Sequence, residues 1–185
     1  QGHPDFDPVL QELNRRKAVV MCHPLPAACC TALMPDVAPR ESQLIEFPYD
    51  TGRAVVSLLM GGSLVKYRDI RWLLSHCGDT VPVLSGRMRN VFTQLPEAQV
   101  AKIAPQGLDH ELRRFYCDTA DAAYGPSMAA ALDYMPHDHL LYGTDYPYVP
   151  LELNASELQA RRLGSADMNG IQRANALKLM PQLAG

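Results

Sequence analysis

What this sequence of 185 residues lacks narrows its function before any motif is considered. Its five cysteines, Cys22, Cys29, Cys30, Cys77 and Cys117, are odd in number and form neither a CxxC pair nor the regular framework of a small stapled domain. A reducing, cytoplasmic compartment is therefore expected. No apolar stretch approaches the ~20 residues of a bilayer span, and residues 54–64, among the longest without charge, are broken by Gly61-Gly62. No membrane association is expected. Seventeen Lys and Arg stand against twenty Asp and Glu, for a net charge of −3, and no basic block is longer than Arg15-Arg16-Lys17. A nucleic-acid backbone has no footprint to occupy. No GxSxG elbow, P-loop or GxGxxG fingerprint is present, so serine hydrolase, nucleotidase and dinucleotide-binding readings lose their usual support. The chain opens at Gln1 without Met and without a basic or apolar leader pattern, so no signal peptide is expected and residues are expected to be missing upstream.

What remains is material for one globular domain, 47% apolar and 20% charged. Short apolar runs of strand length alternate with stretches of helical spacing, the pattern of a parallel α/β fold. The strands are expected at residues 18–22, 70–74, 114–117 and 139–142, with near-continuous apolar character in the first and last, as strands covered on both faces require. Helices are expected from a cap at Asp50 to a stop at Gly61-Gly62, with Val55, Leu58 and Leu59 on one face; from a cap at Thr80 to about residue 92; from Pro126 or Ser127 to residue 135; and over residues 166–179. Residues 24–48 carry five prolines and no clean period, and are expected to form an irregular, functional loop after the first strand.

Polar residues stand at the carboxyl ends of three expected strands: His23, His76 and Asp145. In parallel α/β folds ligands and catalytic groups gather on that rim. Two imidazoles and a carboxylate suit a divalent metal, most simply Zn²⁺; equally, one His can stand outside the metal as an acid–base group. His137-Asp138-His139 is a tempting alternative, but Asp145 lies six positions beyond His139, which along a strand is ~20 Å and the opposite rim. It is expected to be a solvated helix-to-strand turn. His3 and His110 are expected at the surface, the latter with Asp109 and Glu111 on an exposed helix. Arg87 is read either as a solvated helix residue or as a fork for a substrate carboxylate. Cys22 and Cys77 are expected to be small packing residues, and Cys29-Cys30 has no metal-spaced partner.

These residues also carry a resemblance. Asp5-Phe6-Asp7-Pro8, the run from Glu12 through Val20, His23-Pro24, Phe47-Pro48-Tyr49-Asp50-Thr51, Asp69-Ile70-Arg71-Trp72 with Ser75-His76, Tyr116-Cys117-Asp118-Thr119-Ala120 and Gly143-Thr144-Asp145-Tyr146-Pro147 resemble the amidohydrolase-related (amidohydrolase 2) family, which includes aminocarboxymuconate-semialdehyde decarboxylase and the salicylate- and resorcylate-type decarboxylases. The Phe47 block and the Cys29-Cys30 loop are most similar to the fungal 6-methylsalicylate decarboxylases. The resemblance implies a (β/α)8 barrel, His23 and Asp145 as ligands of one divalent metal, His76 as the acid–base group and Arg87 as an arginine reaching a substrate carboxylate in a neighbouring subunit. It also implies an HxH pair on a first barrel strand, a place nothing in this chain fills. Residues 169–183 resemble the family's closing helix. A complete barrel takes ~250 residues, so the chain is expected to be a single domain, residues 1–185, forming the C-terminal half of a barrel, about four βα units.

The function implied is metal-dependent, non-oxidative decarboxylation of a small aromatic carboxylic acid, in which a protonated Asp145 or His76 delivers a proton to the ring carbon, with no organic cofactor and a homo-oligomer, most simply a dimer. The alternatives are a hydrolase of lactones, esters or amides on the same residues, and a non-catalytic half-barrel that holds metal poorly. In a half-barrel the inward side chains Val19, Met21, Leu73 and Tyr116 are expected to lie uncovered and to drive pairing.

Overall fold

The computed structural model describes residues 2–25 and 39–184. Four strands, β1 (Val19–Cys22), β2 (Arg71–Leu74), β3 (Tyr116–Asp118) and β4 (Leu140–Leu141), form one sheet in the order β1-β2-β3-β4. Every neighbouring pair is parallel. Each strand lies within about two residues of its expected position. The connections carry helices α1 (Asp7–Arg15), α2 (Pro39–Met60), α3 (Thr80–Phe92), α4 (Glu97–Ile103), α5 (Leu108–Leu112), α6 (Gly125–Tyr134), α7 (Leu151–Ala160), α8 (Ser165–Asn169) and α9 (Asn175–Leu179), and a helical turn at Ser63–Lys66.

Register sorts the strand side chains into two faces, because successive residues point to opposite sides. Cys22, Trp72, Leu74, Phe115, Cys117 and Leu140 face the helices and are buried with Val55, Leu58 and Leu59 of α2, Leu112 of α5 and Met128 of α6. This layer is the main core. On the other face Leu73 and Leu141 pack with Leu179 and Met180 from the end of the chain, and Val19 and Tyr116 lie against them. The expectation that this face lies uncovered is therefore corrected in part. Leu73 is buried under the C-terminal segment, whereas Met21, nearer the carboxyl rim, is 53% exposed. Arg71 fixes that cover by donating to the carbonyls of Leu179 (2.8 Å) and Lys17 (2.6 Å).

Three helix expectations change. Asp50 is not a cap: α2 begins at Pro39 and continues through Pro48, so residues 39–48 are helical rather than irregular. The Asp50 carboxylate instead accepts from the Leu25 amide at 3.2 Å. Residues 26–38, with Cys29 and Cys30, lie outside the described residues. Thr80 opens α3 without capping it, its hydroxyl donating to the Pro48 carbonyl (2.9 Å) and so tying α2 to α3. The helix expected over 166–179 is divided into α8, a π turn at Gly170–Ala174 and α9. The turn sits where the Tyr142 amide, just past β4, bonds to the Ile171 carbonyl (2.8 Å) and where the buried Asn175 side chain donates to the carbonyls of His137 and Leu140. A π turn of this kind departs from regular helix where the chain meets a tertiary demand.

Glu111 is a further correction. It is not on an exposed face but is fully buried, held by both guanidinium nitrogens of Arg68 (2.9 and 3.0 Å) and by Arg114 (3.2 Å). Arg114 also donates to the carbonyls of Leu64 and Arg68, so one carboxylate and two arginines join the segments leading into β2 and β3. The side chains of Arg68 and Arg114 remain 33% and 29% exposed. Glu111→Ala is therefore expected to cost about 3 kcal/mol, the lower end for breaking a buried pair. Arg89→Ala, which removes the exposed ion pair with Asp109, is expected to cost less than about 1 kcal/mol. Urea unfolding of the two variants checks the contrast, and equal losses would contradict it.

Candidate metal and acid–base site

Strands that run the same way end on the same side, and the segments that leave β1, β2 and β4 bring His23, His76 and Asp145 together. One ligand atom from each lies within 4.8 Å of the others. The His23 and His76 rings meet edge to face at 5.3 Å, and Phe47 of α2 stands edge-on to His23 at 5.9 Å. The Nδ1 of His23 is 2.9 Å from the Pro24 carbonyl. That contact places the ring proton on Nδ1 and leaves the Nε2 lone pair for a ligand, the usual way a backbone carbonyl orients a metal-binding imidazole.

His76 sits on unusual backbone. His76, Cys77, Gly78 and Asp79 all have positive φ, at 53°, 57°, 78° and 51°. Three of the four carry a Cβ, and such residues cost of order 1–3 kcal/mol each unless their surroundings hold them. Several contacts do so. The His76 amide donates to Asp118 Oδ1 at 3.0 Å. Cys77 is buried in the main core, and a Cβ on Gly78 would lie 3.0 Å from the Cys117 sulfur. The Asp79 carboxylate accepts from the buried Thr51 hydroxyl at 2.5 Å and places its other oxygen 3.5 Å from His76 Nδ1. Burial works against a proton on His76, but Asp79, Asp118 and Asp145 outweigh it and raise the imidazole above its ordinary value of 6.5.

Asp145 also has positive φ (60°), and its carbonyl accepts from the amides of Tyr148 (2.8 Å) and Val149 (3.1 Å). The preceding loop is pinned at Gly143, whose amide and carbonyl both meet the Thr119 hydroxyl at 3.2 Å and whose carbonyl also accepts from the buried Asn154 side chain. Two acids that sequence reasoning did not single out stand beside this group. Asp118 closes β3, and burial raises its carboxyl although the Ala120 and His76 amides donate to it. Asp121 is raised by partial burial and by Asp145. The sequence signals for Asp118 are an acid at the end of an apolar strand, where acids are disfavoured, and its place in the Tyr116-Cys117-Asp118-Thr119-Ala120 motif.

The remaining candidates separate from the site. His137-Asp138-His139 forms a short helical turn that leads into β4 at the opposite rim: His137 pairs with Asp167 (3.0 Å), Asp138 with Lys178 (2.7 Å), and the His139 ring stacks on Tyr116 at 4.1 Å. His3 and His110 are exposed. Arg87 is exposed on α3 and takes part in none of the described ion pairs. Cys22 and Cys77 are buried, and burial pushes their thiols up to about 11 and about 12, as inert packing residues require.

Two imidazoles and a carboxylate thus meet at the carboxyl rim of a four-stranded parallel sheet, with helices packed on one of the sheet's faces. The family model of the amidohydrolases (Amidohydro_2) matches residues 1–181, and the chain belongs to that family. It is 36% identical over 156 residues to the decarboxylase macB of Penicillium terrestre, covering 82% of this chain and 45% of that protein. It is 30% identical over 187 residues to the 6-methylsalicylic acid decarboxylase of Penicillium expansum, covering 100% of this chain and 56% of that protein. A crystal structure of a dihydroxybenzoic acid decarboxylase from Polaromonas, with bound manganese and 2-nitroresorcinol, superposes with a TM-score of 0.86 at 18% identity, over 98% of this chain and 55% of that one. The chain spans about half the length of the curated relatives it matches. Among the described residues no helix is long and apolar enough to cross a membrane.

Gly143 tests how tightly the site is drawn together. A Cβ there would lie 3.0 Å from both Cβ and Cγ of Asp118 and 3.2 Å from Ala120 Cβ. Gly143→Ala is expected to lower stability by about 1–3 kcal/mol, as overpacking does. A thermal-shift or urea measurement reads this, and an unchanged midpoint would show that the Asp118 side yields freely.

Proposed function

We propose that this chain carries the acid–base and two of the metal-binding residues of a non-oxidative decarboxylase acting on a small, salicylate-type aromatic acid. The observation that carries the proposal is the meeting of His23, His76 and Asp145 donor atoms within 4.8 Å on one rim. Kinship with fungal decarboxylases gives it direction. His23, oriented by the Pro24 carbonyl, and Asp145, fixed by its own turn, would hold a divalent ion, most simply Zn²⁺. When bound, that ion neutralises charge on the substrate's carboxylate and neighbouring hydroxyl without any redox change. His76, backed by Asp79 and Thr51, delivers a proton to the ring carbon that bears the carboxylate. The bond to the carboxyl carbon then breaks, its electrons restore the aromatic ring, and CO₂ leaves.

Arg87, exposed on α3, is proposed as a contact for the substrate carboxylate of a second copy in a homodimer. Light scattering is expected to give twice the chain mass, and a monomer at micromolar concentration would overturn the dimer.

Release of CO₂ from 6-methylsalicylate in the presence of Zn²⁺ or Mn²⁺ tests the activity. His76→Asn is expected to lower kcat by about 10²–10⁴-fold, the usual contribution of a general acid. Undiminished turnover in that variant would remove His76 from the role. The chain itself offers three donors, so zinc is expected to be lost on dialysis against a mild chelator. Stoichiometric zinc surviving that treatment would show that further ligands are present.

A further inference from the structure

We propose that Asp118 is a positioning residue: by accepting the His76 amide it holds the acid–base imidazole in its left-handed turn, so that β3, which gives no donor to the His23–His76–Asp145 group, sets where the proton is delivered. This inference rests on the reading of His76 as the acid–base group.

Four observations carry it. Asp118 is 5% exposed at the carboxyl end of β3, a position where packing alone would favour an apolar side chain. Its Oδ1 accepts two amides at 3.0 Å, one from Ala120 on its own turn and one from His76, forty-two positions away at the end of β2. The second bond falls on the first of four consecutive residues with positive φ, the point at which the turn departs from β2. The chain leaving β4 is shaped around the same carboxyl, because a Cβ at Gly143 would press on Asp118 Cβ and Cγ, two residues before Asp145. Asp118 thus touches the exit of β2 and the exit of β4, the two segments that supply His76 and Asp145. An amide donating to a fixed carboxylate is a charge-assisted bond, stronger than one to a neutral acceptor and more directional than packing.

The test compares Asp118→Ala and Asp118→Asn with the unaltered protein by amide hydrogen exchange, read by NMR at His76 and, as an internal reference, at Arg71, whose amide bonds to the Ala18 carbonyl at the far end of β2. Asp118→Ala is expected to speed exchange at His76 by about 10- to 100-fold, the loss of one bond to a charged acceptor, with Arg71 unchanged. Asp118→Asn keeps an oxygen for the amide and is expected to return His76 toward its original rate. In the decarboxylation assay Asp118→Ala is expected to lower kcat while KM holds, and Asp118→Asn to recover most of the loss. Unchanged exchange at His76 in Asp118→Ala, or equal acceleration at His76 and Arg71, would overturn the proposal. So would failure of Asp118→Asn to recover either readout. If the unaltered protein releases no CO₂ yet the exchange pattern is as expected, the decarboxylase reading is lost and the positioning of His76 by Asp118 stands.

Discussion

The parallel register of four short strands is the constraint on which the rest of this structure depends. Because β1, β2, β3 and β4 run in one direction, the residues that follow them emerge on one rim, and three chemically useful side chains meet without any long loop carrying them there. The same register divides the strand side chains between a helix-covered core and an inward face. Each strand is only two to four residues long, so the alignment relies on what lies just outside it: Arg71 and the Glu111 network on one side, Asp118 and Gly143 on the other.

The turn at His76 shows how such a scaffold stores strain where chemistry is needed. Non-glycine residues with positive φ are tolerated when buried and hydrogen-bonded partners leave them no alternative. Here Cys77 is anchored in the core, Asp79 by Thr51 and His76 by Asp118. The imidazole reaches the rim on backbone that would relax elsewhere if released. Three acids, Asp79, Asp118 and Asp145, surround this one partly buried imidazole and favour its protonated form against the cost of burial.

Much of this was legible in the sequence, for physical reasons that particular residues make plain. The strands announce themselves as short apolar runs, Val19-Val20-Met21-Cys22 and Leu140-Leu141 among them, although in β1 only Cys22 is buried and Met21 stands exposed. His23, His76 and Asp145 could be located because each follows an expected strand within three residues. What sequence hid were interactions with distant partners. Glu111 beside His110 and Asp109 resembles part of an exposed helix until Arg68, forty-three positions away, is found to pair with it. Asp118 gives little local sign of its task, since both its role and its burial depend on β2. Pro48 suggested a break, yet α2 runs through it, with the Pro48 carbonyl engaged by Thr80 of the neighbouring helix. Local rules mark helix ends well when the chain is alone and poorly when a second element stabilises what the first would not form.

The inward face has one further consequence. Its floor is laid by the last turns of the chain, Leu179 and Met180 against Leu73 and Leu141, locked by the Arg71 guanidinium. Cohesion is thereby carried by side chains on the strands themselves, while the His23–His76–Asp145 group stands on the segments that leave their carboxyl ends. Substitutions along the floor can drift under selection for durability alone, while the rim, on the segments that leave the strands, is free to be retuned without disturbing what holds the sheet together beneath it.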